Sequence, residues 1–311
     1  MFRNPWFFFS MFVFLFMGSC VYMISSSIKH FGPEQSMAVN EDSILHIDIE
    51  GVILDGKVVL DNLRKYADNE KIKGIIVRMN SPGGVVGPSQ EIYSEILRIK
   101  NELKKPVIVS ANAIMASGGY YIAVAADKIY VNPGTLMGSI GVIMEFANME
   151  KLYEWAKIDL YSLKTGKFKN TGTNTRPMRE DEKAYLQAVL ESVHSQFKDA
   201  VAEGRKLDSR KVELYADGRI FTGARGVEYE LADKVGTYQE ALKALGEATG
   251  LGAQPKVFNP KKPQEFLMDV IGRTQFFSTS IEQKVEKILA LELVGKPLYL
   301  YPGYKGVSIG K

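Results

Sequence analysis

The chain opens on a long apolar run, MFRNPWFFFSMFVFLFMGSCVYMISSSIKH. No charged side chain falls between Arg3 and Lys29, a gap of 25 residues. At about 1.5 Å of rise per residue, a helix of that length spans a bilayer core with some tilt. A cleaved leader has a shorter apolar core, about 7–15 residues, and a small-x-small processing site. This run is longer and has no clean Ala-x-Ala, so residues 1–30 read as an uncleaved membrane anchor. Arg3 and the α-amino group favour a cytoplasmic N-terminus with the bulk of the chain outside. Residues 31–42 (FGPEQSMAVNED) are polar and contain Pro and Gly, as expected of a short linker.

Beyond the linker the pattern changes period. SILHIDIEGVI (43–53) alternates apolar and polar positions and predicts a strand. IKGIIVRMN (72–80) and PVIVSA (106–111) are continuous β-branched runs and predict buried strands. Between them, residues 88–103 carry Ile92, Ile96, Leu97, Ile99 and Leu103 on one helical stripe. GGYYIAVAAD predicts an apolar helix and KIYVN (128–132) a further strand. Strands alternating with helices at this spacing argue for α/β crossover units. A long helix follows near 179–203, with Leu186, Val189, Leu190, Val193, Phe197 and Val201 in the i, i+3, i+4, i+7 pattern. Glu180, Asp181 and Glu182 fall in its first turn, where a helix favours anions. Residues 217–236 read as strand, turn and short helix, and 237–249 as a helix. From Leu251 the composition shifts. The region 251–311 reads as a C-terminal extension with a helix near 278–293 and a glycine-rich, aromatic, partly mobile tail.

Composition narrows the function. With 39 basic and 36 acidic residues the net charge is only +3, and no long basic run occurs, so nucleic acid is not an expected partner. Seven of the 16 phenylalanines lie in the first 16 positions, so the aromatic richness belongs partly to the N-terminus. Cys20, the only cysteine, sits inside the apolar run, which rules out an internal disulfide. MGSC faintly resembles a lipoprotein processing site, with Met17 a poor match. One cysteine and three histidines argue against a His/Cys zinc site.

Buried parallel strands offer their chemistry in the turns that follow them, and two such turns stand out. RMNSPGGVVG (78–87) contains Gly83 and Gly84, whose missing Cβ lets a ligand approach the backbone N–H groups. Donors held in this way suit a developing oxyanion. The same residues also fit an ordinary tight turn. ANAIMASGG (111–119) puts Ser117 at a helix entrance, where negative charge is favoured. A helix-capping serine fits equally. A serine nucleophile needs a base. His30 is at the membrane edge, His46 in the first strand and His194 beside the apolar stripe of the long helix, so none suits a Ser-His-Asp arrangement. Lysine remains, although its ordinary pKa leaves well under ~0.1% neutral at pH 7. Desolvation or a nearby cation must lower that value. Composition and spacing do not choose among the lysines.

NSPGG, IMASGGYYIAVAADKIYVNPGTLMGSIGV, KTGKFKN, PMREDEKAYLQ and DGRIFTGARG…ADKVG occur in this order. With the anchor, they resemble the signal peptide peptidase A (protease IV) family of bacterial membrane-bound serine peptidases, in its short single-domain form, over roughly 43–250. The resemblance implies a fold similar to the Clp protease and crotonase proteins, built of β-β-α units behind one transmembrane helix. It implies Ser117 as nucleophile and Lys169, 52 positions on, as general base, with Lys164 and Lys167 as neighbouring competitors. It implies Ser139 as the residue that orients the lysine. It implies Gly83 or Gly84 as one oxyanion donor and Gly118 or Ser117 as the other. Asn170 stands where an aspartate is common, and NTGTNTRPM replaces the usual pattern of that segment.

The implied activity is Ser-Lys acyl transfer on signal peptide remnants and unfolded apolar peptides, with no cofactor and no metal. Small or apolar side chains suit the cleavage pocket. The implied assembly is a ring- or dome-shaped homo-oligomer, an octamer being one expected size, with serine and lysine supplied by neighbouring subunits. The implied location is the bacterial inner membrane, with the catalytic domain on the extracytoplasmic side. A crotonase-type acyl-CoA enzyme and a non-enzymatic membrane scaffold are the rival readings.

Overall fold

The structure, a computed structural model, describes residues 39–260 and 297–300. These belong to one compact unit, Val39–Lys311. The anchor, residues 31–38 of the linker and the helix expected near 278–293 lie outside the described residues. Among the described residues, no helix is long and apolar enough to cross a membrane.

The β-branched runs form the centre of the sheet. β1 (Ser43–Ile53), β2 (Ile72–Val85) and β3 (Val107–Ala116) are parallel neighbours, with Ile47, Val77 and Val109 in register across them. α1 (Lys57–Ala67) and α2 (Val86–Asn101) connect them, as the alternation predicts for crossover units. α1 itself is not read from the sequence, although it buries Leu60, Leu63 and Tyr66. α3 (Gly118–Ala123) leads to β4 (Lys128–Val131), and β5 (Leu136–Gly138) follows. The later elements are α4 (Glu150–Trp155), α5 (Glu180–Arg205), α6 (Ser209–Glu213), β6 (Ile220–Thr222), α7 (Gly223–Glu228), β7 (Lys234–Val235), α8 (Tyr238–Ala248), β8 (Val257–Phe258) and β9 (Leu298–Leu300).

Among the described residues the sheet runs β6-β5-β3-β2-β1-β8, while β4 pairs with β3 and β7, and β9 with β2. Its two faces are covered unequally. Leu45, Ile47, Ile75, Val77, Val107 and Val109 face the larger core. Ile44, Ile76, Ile108 and Tyr130 pack under Ala241, Leu242 and Leu245 of α8. Burial on both faces explains why β2 and β3 read as unbroken apolar runs.

Two boundaries differ from the sequence reading, and both matter to the site. The NSPGG segment is not a turn after Met79, because β2 continues to Val85. Gly83 and Gly84 pair with Val52 and Ile53 of β1, past register shifts at Glu50/Val52 and Met79/Ser81. The Ser81 hydroxyl stabilises the irregularity, donating to the Gly51 carbonyl (2.6 Å) and accepting from the Gly83 N–H (3.1 Å). Likewise β3 does not stop at Ala111. Its second half, from Ile114 to Ala116, leaves β4 and pairs with β5. In both strands a second partner continues the ladder where propensity alone ends it.

Candidate active site

Ser117 is the joint between β3 and α3. It is 1% exposed, and its backbone sits at φ 52°, ψ −117°. Such a conformation costs a non-glycine residue about 1–3 kcal/mol and needs its surroundings to hold it. Here the Ser117 N–H donates to the Gly138 carbonyl (2.8 Å), and the Ser117 carbonyl accepts from the Tyr121 N–H (2.8 Å). The hydroxyl makes no capping hydrogen bond. The helix-capping alternative is therefore not realised. A serine on a strained strand-to-helix turn, its hydroxyl unspent on the helix, has the geometry of a nucleophile elbow. Because α3 is only six residues long, the axial dipole anticipated from the sequence adds little, and local amides matter more.

Gly83, Gly84 and Gly118 meet beside it. Gly83 has φ +97°. A Cβ there would stand 1.9 Å from the Tyr299 carbonyl oxygen and 2.5 Å from the Gly118 nitrogen. A Cβ on Gly118 would lie 2.6 Å from the Ser89 hydroxyl oxygen and 3.2 Å from both the Gly84 nitrogen and the Tyr299 oxygen. The glycines are thus absent side chains where main chain, and at Gly118 also the Ser89 hydroxyl, approaches closely. Because the Gly83 N–H is taken by Ser81, Gly84 and Gly118 are the better donors of the set.

The Tyr299 carbonyl belongs to β9, a piece of the tail that the sequence reading treats as partly mobile. β9 lies antiparallel to Gly83–Val85 on one side, and Leu298 exchanges hydrogen bonds with Ile143 on the other (2.9 and 3.1 Å). The Tyr299 ring is fully buried against Tyr121 and Phe197, and its hydroxyl donates to the Val193 carbonyl (3.1 Å). Burial raises its pKa. The alternating Leu-Tyr-Leu of this segment was the available signal for a strand. The groove it fills is tertiary and could not be read.

Ser139 follows β5 directly, one residue beyond the Gly138 carbonyl that holds Ser117. It too has positive φ (52°), and its N–H donates to the Arg219 carbonyl (2.8 Å). Ser139 lines a cavity of about 320 Å³ with Gly141, Val142, Ile143, Asp217, Gly218 and His194. In the sequence His194 stands beside the apolar stripe of the long helix, a place that fits a structural or solvated residue better than a catalytic one.

Lys169 is not brought to these groups. It lies in an exposed turn, its N–H donating to the Gly166 carbonyl (3.3 Å), with no side-chain hydrogen bond or ion pair found among the described residues. Its competitors are engaged. Lys164 donates to Asn170 and to the Lys167 carbonyl, and Lys167 pairs with Asp181 (2.8 Å) and lies over the Phe168 ring. The whole stretch 144–179 has no buried residue. It is tied to α5 by Arg176, whose guanidinium makes two hydrogen bonds (2.7 and 2.8 Å) to the buried carboxylate of Glu182. The Arg176 bonds, with the Arg179 N–H, hold the Glu182 pKa down at about 2.

A strained serine, converging glycine amides and a groove that takes an extended strand make this the candidate active site. Comparison with known proteins shows the family. The model of peptidase family S49 matches residues 99–252. A putative protease of Synechocystis is 39% identical over 210 residues, covering 67% of this chain and 75% of that protein. A putative signal peptide peptidase SppA of Enterococcus faecium is 36% identical over 60% of this chain and 54% of its own length. Protease 4 of Haemophilus influenzae is 30% identical over 69% of this chain and 35% of its own. The chain belongs to peptidase family S49 and is a serine peptidase.

Proposed function

We propose that this peptidase is a membrane-anchored endopeptidase with a Ser-Lys dyad, in which Ser117 of one subunit is activated by Lys169 of another. One observation carries the reading. A peptide carbonyl, that of Tyr299, rests at the meeting point of Gly83, Gly84 and Gly118, beside the strained Ser117. A substrate would bind as β9 does, adding an antiparallel strand to Gly83–Val85. Neutral Lys169 takes the Ser117 proton, and Oγ attacks the carbonyl carbon. The N–H groups of Gly84 and Gly118 receive the oxyanion. The lysine then protonates the departing amine, and next takes a proton from water to release the acyl group. Gly83 supplies room for the substrate, and Ser139 orients the lysine.

The substrates are extended apolar peptides, among them signal peptide remnants. The pocket around the Tyr299 ring has space for a large aromatic side chain, which widens the expectation of small ones. The apolar run 4–28 supports anchoring in the bacterial inner membrane, with the peptidase on the extracytoplasmic side. The split pairing of β3 with β4 and then β5 is in keeping with a Clp- and crotonase-like arrangement. Trp155, Tyr161 and Leu163, more than 80% exposed on the arm that carries Lys169, support a homo-oligomeric ring.

Single Ser117→Ala and Lys169→Ala variants should each lose roughly 10⁴-fold or more in peptide cleavage. Mixed together after dissociation, the two inactive proteins should regain part of the activity, since some interfaces then hold an intact serine and an intact lysine. No recovery at any mixing ratio would sink the shared site.

A further inference from the structure

On the function proposed above, the residue whose carbonyl rests among the three glycines is the one whose side chain the cleft reads. Here that residue is Tyr299, and its ring is fully buried. Other rings form the wall. Tyr121 stacks on the Tyr299 ring, with centroids 5.1 Å apart and planes at 21°. Phe197 leans on it at 4.7 Å, and Tyr93 backs Tyr121 at 4.9 Å. Tyr93, Tyr121 and Phe197 come from α2, α3 and α5, so the pocket exists only in the folded chain. Rings packed edge and face against one another hold a flat slot open for a further ring.

The far end of the slot is polar. The Tyr299 hydroxyl donates to the Val193 carbonyl (3.1 Å). A carbonyl has two lone pairs, so one in a helix can take such a donor beside its own helical N–H. Gln90 of α2 reaches the same hydroxyl. Burial and the neighbouring Tyr121 raise the Tyr299 pKa, and a hydrogen bond from Gln90 offsets part of that rise. The Gln90 amide is itself held, one N–H donating to Gln196 Oε1 of α5 (2.9 Å). Val193 and Gln90 thus engage both halves of the hydroxyl, its hydrogen and its lone pair. A phenylalanine in the slot would leave the carbonyl lone pair and the amide N–H without that partner, and removing one side of a buried hydrogen bond costs more than making it gains.

We propose that this pocket selects tyrosine over phenylalanine at the residue preceding the scissile bond, with Gln90 and the Val193 carbonyl as the specificity-determining groups that read the phenolic hydroxyl. The proposal rests on the peptide-cleft reading above and deepens it, a substrate tyrosine taking the place that Tyr299 holds here. A site that hydrogen-bonds a substrate hydroxyl rejects the analogue lacking it far more strongly than an apolar pocket rejects a change of size. Small side chains fit the slot but leave it part-empty.

The test uses the full-length protein in detergent. It digests a reduced, alkylated and unfolded protein, and mass spectrometry identifies the residue at each new carboxyl terminus. Tyrosine should be enriched there over phenylalanine, and both over alanine. Two fluorogenic peptides that differ only in tyrosine or phenylalanine at this residue should show kcat/KM about tenfold or more in favour of tyrosine. Gln90→Leu should lower that ratio to about threefold, because the Val193 carbonyl alone remains. The ratio is internal to each protein, so a partly unfolded variant does not disturb it. Equal rates on the two peptides in the wild type, or enrichment of small residues in the digest, would overturn the proposal. A ratio untouched by Gln90→Leu would overturn the role given to Gln90. Ser117→Ala is assayed beside them. If cleavage persists, the peptide-cleft reading itself fails; if cleavage is lost with Ser117 but in the wild type falls evenly after tyrosine and phenylalanine, only this inference does.

Discussion

Around Ser117 main-chain atoms and the Ser89 hydroxyl crowd together at close range, whereas between residues 144 and 179 the large apolar side chains face outward. The first region is over-determined. Strained φ angles at Ser117 and Ser139 are each held by a backbone hydrogen bond to a neighbouring strand or loop. Glycines occupy the places where a Cβ would collide with peptide oxygen or nitrogen. The second region is under-determined within one chain. α4 buries nothing, and Leu163 is 95% exposed. Proteins store strain where chemistry needs fixed geometry, and they expose apolar surface where another surface is to cover it. On the function proposed above, the pair of regions divides the labour of the site: Ser117 is built in place, and Lys169 is carried on a part that needs company.

That contrast can be broken most sharply at the glycine pair. Gly84→Ala would put a methyl 2.1 Å from the Ile53 carbonyl, inside the β1–β2 ladder. It should fail to fold, or should melt far below the wild type in a thermal scan. Gly83→Ala faces the Tyr299 carbonyl at 1.9 Å and carries φ +97°. It should melt below the wild type, because φ +97° adds about 1–3 kcal/mol of strain to a 2.5 Å contact with the Gly118 nitrogen, but above Gly84→Ala, because β9 can give way where the β1–β2 ladder cannot. Its kcat/KM should nevertheless drop about 10²–10³-fold, because the methyl stands where a substrate carbonyl belongs. Equal damage to folding in both variants would mean that Gly83 is structural and that the cleft is not a peptide seat.

The outward-facing arm offers the opposite test. Leu163→Glu removes an apolar side chain that touches little within its own chain. Its effect on the stability of a lone subunit should be within about 0.5 kcal/mol. If the arm is covered by a second copy, light scattering should report smaller particles, and peptide cleavage should fall about tenfold or more as the interface weakens. Unchanged particle size and unchanged activity would make the arm a free surface and leave Lys169 without a route to Ser117.

Most of the architecture was legible because it depends on local pattern. The β-branched runs of β2 and β3, the stripe of α5 and the apolar helix after Ser117 are all set by period and propensity. What escaped depends on partners distant in sequence. β2 runs through Pro82, Gly83 and Gly84 because β1 and β9 flank it, and no window of ten residues contains both flanks. α1 has its apolar residues spaced for a helix, but it follows a glycine and an aspartate that read as loop. Ser117 and the three glycines were found as motifs, and their convergence adds the geometry. His194 was dismissed because an imidazole beside an apolar stripe has the same sequence signature whether it faces core or cavity. Only the fold distinguishes the two.

The smallest effect expected concerns the tether between the two regions. Arg176, at the end of the Lys169 arm, is held to α5 by Glu182, and Lys167 by Asp181. Hydrogen bonds from Arg176 in the first case and from Lys167 in the second lower both carboxyl pKa values to about 2. An unfolded glutamate titrates near ~4.3 and an aspartate near ~3.9. The folded chain therefore binds fewer protons than the unfolded chain between those values and about 2. The tether's contribution to stability is complete above pH ~4.3 and is lost as the pH falls toward 2. Glu182→Gln cannot titrate. The Tm gap between wild type and Glu182→Gln should be widest at pH 5–7 and should narrow steadily on acidification, with peptide cleavage weakening in parallel. A gap that stays constant with pH would show that Glu182 holds the arm by shape and hydrogen-bond geometry alone, not by its charge.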